Sequence, residues 1–322
     1  MIQTETGVLP AATTDPEQAL TDLHVHGFTL LEGVLSSQET GMLAETLQSV
    51  AARELSAGEA FQDGGPRQQW GDFKEVDGLT ARDKFRAEAG GINQRVWMVV
   101  NKGRCLVALL SKEPVLHLVR ALLGECFQLS SHGANIARRG GVPMPLHTDQ
   151  WWMPAPVEAD VNPMPVGSIR RDAAPVPPAA EPALIAPCAC VNVLWYLRDF
   201  SKETGSTRVV PGSHLFGYQP PADHPETETV SVAGKAGTVL VIDGRIWHGT
   251  GANTTDNDRL TVLTTFCGPQ YRPQENYFVG TAAEVLANAD EHLRAMLGYR
   301  IWHGYGRTEN PVAEFVDEDG SE

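Results

Sequence analysis

His147 and Asp149, within Pro145-Leu146-His147-Thr148-Asp149-Gln150-Trp151, are an imidazole and a carboxylate separated by one residue. In an extended chain alternate side chains share a face, so the two point at a common spot and supply two corners of a metal site. The third corner must come from elsewhere, and the best candidate is His248, in Ile242-Asp243-Gly244-Arg245-Ile246-Trp247-His248-Gly249. Two imidazoles and one carboxylate on one face of an octahedron, with the other positions open, is the arrangement that holds a non-haem Fe(II) for O2 chemistry. A His-x-Asp triplet alone is common and reads as a surface pair. Three further stretches fall where such a centre needs them.

An open Fe(II) centre requires a co-substrate that completes the coordination and supplies electrons for cleaving O2. A 2-oxo acid does this by chelating the metal through its 2-oxo group and 1-carboxylate. Its far carboxylate then needs a buried cation, best an arginine that can bind both oxygens. If residues 252–258 form a turn, His248 ends one strand, Arg259 begins its neighbour, and both reach one pocket. Alone, Arg259 reads as a surface residue paired with Asp256 or Asp258; with the triad it reads as the anchor, and Arg138 and Arg245 are next in line. His132 is a candidate fourth ligand of a cupin-like site, set against a hydrogen-bonded core histidine, which we prefer. His214 follows Pro211-Gly212-Ser213 and reads as structural.

The elements that must position these groups change character along the chain. Asp15-Pro16-Glu17 opens a short helix ending near Gly27, and Phe28–Leu31 follows as a strand. Ser36-Ser37-Gln38-Glu39 is a capping box ahead of a helical pattern through Val50. Residues 57–94 read as irregular, a pocket wall. Ser111-Lys112-Glu113-Pro114 caps a helix from Val115 to Leu123, stopped by Gly124. From Phe127 the period becomes two, with strands expected at 127–137, at His147, and over 189–197, 206–210, 237–243 and 259–266. Thr281-Ala282-Ala283-Glu284 is a second capping box, for a helix ending at Gly298. Strands joined by Gly/Pro/Asp turns without intervening helices indicate an antiparallel two-sheet barrel. The expected fold is therefore an all-β core with flanking helices, an α+β jelly roll of cupin-like type with an N-terminal helical layer. We expect a single domain over 1–322, with 1–14 and 312–322 disordered. Residues 154–187 carry nine prolines, too many for a regular element, and read as a lid over the metal strand or a disordered insertion.

Composition bounds the partners. The chain has 322 residues, 42% hydrophobic and 20% charged, enough for a sizeable core. Forty acidic against 25 basic residues give a net charge of −15, and no basic cluster stands out. Nucleic acid and anionic membrane are not expected partners; a small-molecule substrate is, with the protein a monomer or homodimer. Five cysteines lacking Cys-x-x-Cys spacing argue against a disulfide framework or zinc knuckle. With no basic-then-apolar leader at Met1-Ile2-Gln3, a cytoplasmic location is expected.

His147-Thr148-Asp149-Gln150, Thr204-Gly205-Ser206-Thr207-Arg208-Val209-Val210-Pro211-Gly212-Ser213-His214 and His248-Gly249-Thr250-Gly251-Ala252-Asn253 stand in order, followed by Arg259 and Arg272-Pro273-Gln274-Glu275-Asn276. In these motifs, over about Phe28 to Tyr277, the chain resembles the phytanoyl-CoA dioxygenase family of Fe(II)/2-oxoglutarate oxygenases, whose fold is a double-stranded β-helix. The resemblance implies His147, Asp149 and His248 as iron ligands and Arg259 on the distal carboxylate of 2-oxoglutarate, with the Thr207 hydroxyl assisting. Asn135 is a further candidate for that pocket. Fe(II), 2-oxoglutarate and O2 are the implied cofactor and co-substrates, with ascorbate an in-vitro activator and succinate and CO2 released. Related halogenases replace the carboxylate by Gly or Ala, so Asp149 argues against halogenation. Hydroxylation is the default outcome; desaturation, epoxidation, ring expansion and endoperoxide formation use the same ligands. Gln150, Trp151 and Trp152 are substrate-wall candidates, with Trp70, Trp97 and Tyr196 as further aromatic wall. A small or medium-sized, partly apolar metabolite of secondary metabolism is expected rather than a CoA thioester. The competing readings are a non-catalytic jelly-roll binding protein and a cupin-type metalloenzyme that uses no 2-oxo acid.

Overall fold

The change of period near Phe127 is realised as two antiparallel sheets with a helical layer on one of them. The structure is a computed structural model that describes residues 9–68, 91–150, 187–217 and 219–307. Strands β1 (Phe28–Leu31), β2 (Phe61–Asp63), β3 (Asn93–Val96), β4 (Gln128–Ala137), β5 (Cys190–Tyr196), β6 (Thr207–Val209), β7 (Val230–Ser231), β8 (Val239–Asp243), β9 (His248–Thr250) and β10 (Arg259–Cys267) carry the core. Seven form one sheet in the order β1-β8-β5-β10-β4-β3-β2, and three form the facing sheet, β7-β6-β9. This is the jelly roll expected.

Alternation along the central strands decides which residues reach the site. On β10, Leu260 and Val262 face the helices, while Arg259, Thr261, Leu263 and Thr265 face the second sheet. On β5, Val191, Val193 and Trp195 join the helix-side core, while Leu194 and Tyr196 join the inter-sheet core. The helix-side core is closed by α1 (Pro16–His26), α2 (Ser37–Ser56), α3 (Arg104–Val107) and α4 (Glu113–Leu123). In α4, Val115, Leu116, Leu118 and Val119 are buried, each worth about 1.5–3 kcal/mol of apolar transfer. Since the helices and the large sheet share this core, they hold each other in place.

Asp15 caps α1 through the Glu17 amide, and the Ser36–Glu39 capping box is formed in both directions. Several boundaries differ from expectation. The 57–94 stretch contains β2 and β3, paired antiparallel, because Phe61, Asp63 and Asn93 bury on the sheet edge. Ser111 does not cap α4; its hydroxyl donates to Ala108 O, and Lys112 at the cap offers no side-chain bond. The expected 281–298 helix is two short helices, Ala283–Asn288 and Glu291–Met296, because Asp290 caps the second by accepting from Leu293 N. Residue 147 makes a single antiparallel bridge to His248 rather than a regular strand. Of the proline-rich 154–187 segment, 154–186 lie outside the described residues, as do 1–8 and 312–322. No helix among the described residues is long and apolar enough to cross a membrane.

Candidate metal centre

The turn after β8 brings the second histidine to the first. Asp149 N and Gln150 N both donate to Gly244 O, at 2.9 and 3.0 Å, and His147 and His248 exchange backbone bonds of 2.9 and 3.0 Å. Gly249 permits this approach: a Cβ there would meet Met144 O at 2.6 Å. His248 therefore opens β9 in the three-stranded sheet. It does not end a strand beside β10, as the sequence reading had it; Arg259 belongs to the other sheet.

His147 Nε2 lies 3.4 Å from Asp149 Oδ1, and His248 Nε2 lies 3.3 Å from Asp149 Oδ2. Ligand atoms of the three residues all fall within 4.8 Å of one another. Each imidazole is oriented from behind, His147 Nδ1 donating to Pro145 O at 2.9 Å and His248 Nδ1 to Ile246 O at 3.1 Å. That occupies each Nδ1 as a donor and leaves Nε2 as the nitrogen facing the common centre, as metal-binding histidines require. Burial would raise the Asp149 carboxyl, but the charge of His248 and hydrogen bonds from both imidazoles hold it well below the usual carboxylate range. Burial lowers His248, and Asp149 more than offsets it, so its pKa is raised. With Nε2 deprotonated, the two imidazoles and the ionised carboxylate would converge as donors that fit a divalent iron.

A cavity of about 160 Å³ opens on this centre. One rung of the large sheet, Ser131, Thr265, Asn192 and Ile242 in direct register, forms part of its wall. Thr207 lines it from the facing sheet, and Arg95, Trp97 and Gln274 line it as well. Gln274 is placed by a bulge in β4: the register slips between Thr265 and Phe266, and the extra residue Ser130 accepts from Gln274 N and Glu275 N.

Arg259 is 2% exposed, with its guanidinium carbon 5.2 Å from the Phe200 ring centroid and Nη1 donating to Gly205 O. Its Nε is buried without a partner, and among the described residues no carboxylate lies within ion-pair distance. Asp63, whose charge acts on it, is committed to Arg95 at 2.8 Å. Burial pushes the guanidinium down to about 10, still charged at neutral pH. A buried cation without a counter-charge is costly to fold. Asn135 is 1% exposed with a partnerless Oδ1, in register with Thr261 and Arg95. Neither Arg259 nor Asn135 belongs to the wall of the metal cavity itself.

Other expectations resolve differently. Arg138 is spent on Ile92 O, Gln94 and Asp258, and Arg245 grips the buried Asp243, so neither is a spare anion anchor. His132 is no fourth ligand: Nε2 donates to Leu106 O at 3.0 Å, and Nδ1 accepts from Thr264 at 2.9 Å. His214 is structural, bonding His24 O at 3.1 Å. The Gln150 amide is used on Pro187 O and Ala189 N, away from the cavity. Tyr196 donates to Val232 O in the inter-sheet core, so only Trp97 of the described aromatics forms wall. Trp70, Trp151 and Trp152 lie outside the described residues. Asn192, Arg95 and Gln274 were missed by sequence reasoning, although a lone amide in the apolar run Ala189–Leu197 was a visible signal.

Comparison with known proteins agrees with this geometry. The family described as phytanoyl-CoA dioxygenase (PhyH) matches residues 23–261. A relative from Aspergillus fumigatus, dioxygenase af480, is 26% identical over 287 residues, 88% of this chain and 77% of that one. The solved structure of the epimerase SnoN, in complex with Fe3+, alpha ketoglutarate and nogalamycin RO, is similar in fold. Its TM-score is 0.53 at 21% identity, over 83% of this chain and 91% of that one. HygX from Streptomyces hygroscopicus, solved with nickel and 2-oxoglutarate bound, gives 0.53 at 17%, over 82% and 90%.

Proposed function

Because the chain belongs to the phytanoyl-CoA dioxygenase family, a family of 2-oxoglutarate-dependent non-haem iron dioxygenases, we propose that it oxidises a small to medium-sized, partly apolar metabolite at the centre formed by His147, Asp149 and His248. The observation that carries this reading is the convergence of the three ligand atoms within 4.8 Å of one another, and the buried Arg259, whose Nε has no partner, supports it. Fe(II), when bound, supplies O2 activation at the expense of 2-oxoglutarate, which leaves as succinate and CO2, with the second oxygen atom available for the substrate.

The protein's own groups do the rest. His147 Nε2, Asp149 and His248 Nε2 would hold the metal. Arg259 pairs with the distal carboxylate of 2-oxoglutarate, and the Thr207 hydroxyl on the cavity wall is a further donor. Asn135, buried nearby in the same sheet, is a further polar contact for that molecule. Trp97, Leu194, Ile242 and Leu263 offer apolar surface to the substrate, while Ser131 and Gln274 offer hydrogen bonds. Hydroxylation is the default outcome with Asp149 retained as a ligand. That SnoN and HygX were solved with nogalamycin RO and hygromycin B supports a discrete small molecule as substrate rather than a polymer.

The test is succinate release from 2-oxoglutarate with Fe(II), ascorbate and O2. The proposal expects release that stops anaerobically and in His147→Ala, Asp149→Ala and His248→Ala. Absence of release and of metal binding by the wild-type protein, across a broad substrate panel, would favour a non-catalytic binding protein.

A further inference from the structure

Asp149 reaches the metal centre from a loop, with Oδ1 3.4 Å from His147 Nε2 and Oδ2 3.3 Å from His248 Nε2, and the large sheet adds a further contact. Asn192 Nδ2 donates to Asp149 Oδ2 at 2.5 Å, and Thr265 Oγ1 donates to Asn192 Oδ1 at 2.7 Å. Asn192 and Thr265 are 1% and 5% exposed and directly opposite each other on β5 and β10, the central strands of the large sheet. The amide has one orientation: turned over, it would set Oδ1 against the carboxylate, two acceptors in contact. A rigid pair of strands thus fixes an amide donor, and the donor fixes the carboxylate.

Resting on the metal-centre reading above, we propose that Asn192 is a positioning residue that keeps Asp149 a one-oxygen ligand. Its hydrogen bond engages Oδ2, so that Oδ1, which takes no bond from the sheet, is the oxygen left for the metal. Coordination arithmetic gives this a function. Six octahedral positions less three protein donors leave three. A 2-oxo acid bound through two oxygens leaves one, the position O2 needs. A carboxylate bound through both oxygens would take it. Asn192, oriented by Thr265, therefore guards the position for O2 by acting through Asp149.

The probe is Co(II) alone, titrated into metal-free full-length protein and followed by its visible absorption, whose intensity and shape report coordination number. Asn192→Ala is expected to bind Co(II) 10–100-fold more weakly, with a changed spectrum. Thr265→Val should give a smaller loss in the same direction, and Thr265→Ser should restore the wild-type spectrum. If Asn192 only packs the sheet, its variant will unfold at lower temperature while affinity and spectrum of the folded protein stay as in wild type; that result overturns the proposal. A wild-type protein whose Co(II) binding survives His147→Ala would instead overturn the metal-centre reading and this proposal with it.

Discussion

Replacing Arg259 should uncouple the protein from the far end of its co-substrate. The guanidinium is 2% exposed, makes one bond to Gly205 O and keeps a partnerless Nε. A charge-assisted contact made there is lost outright in Arg259→Gln, leaving the distal carboxylate desolvated and unpaired. Such a loss costs about 2–5 kcal/mol, or roughly thirty- to several-thousand-fold in the dissociation constant. The assay is 2-oxoglutarate binding to Ni(II)-loaded protein, which binds without turning over. Comparing 2-oxoglutarate with 2-oxobutyrate, which lacks the distal carboxylate, completes a thermodynamic cycle. Wild type should prefer 2-oxoglutarate by the full factor, and Arg259→Gln should bind the two nearly alike, with metal affinity unchanged. An undiminished preference in the variant would refute the assignment and move the carboxylate to Arg95, the arginine in the cavity wall.

Two further predictions concern groups that support the site. Burial lowers His132 from the ordinary 6.5 to about 4, so the unfolded chain takes up its proton first. Stability from this group is full above pH 6.5 and falls as the pH drops toward 4, by about 3 kcal/mol in total. Urea unfolding across that window should show the slope in wild type and lose it in His132→Gln; equal slopes would refute it. Glu275 accepts from Met98 N, His132 N and the Tyr277 hydroxyl at 2.7, 2.8 and 2.6 Å. Glu275→Ala strands three buried donors and should cost about 3 kcal/mol or more in the same assay. A cost below about 1 kcal/mol would show that the clamp does not hold the Gln274 wall in place.

The metal triad was legible because its spacing survives any reasonable fold: residues two apart on an extended chain point together even where only a single bridge forms at His147. The sheet was legible from the alternation after Phe127 and from the apolar runs over 189–197, 237–243 and 259–266 bounded by turn residues. Arg259 was picked for its nearness in sequence to His248, yet the two stand on different sheets that face each other, which sequence order does not distinguish. Arg95 was hidden because its stretch is polar and glycine-rich, and only its antiparallel pairing with β4 carries it inward. The role of Asn192 depends on which residue lies opposite it, and register across β5 and β10 cannot be read from either strand alone. The second capping box failed because Thr281 Oγ1 is buried with no partner while Asp290 caps the later helix.

The most direct test of the account is a crystal structure of the protein loaded anaerobically with Fe(II) and 2-oxoglutarate. The account predicts one iron bonded to His147 Nε2, His248 Nε2 and a single oxygen of Asp149, with the distal carboxylate of 2-oxoglutarate on Arg259. Iron held by other residues, or 2-oxoglutarate lying away from the iron, would contradict it.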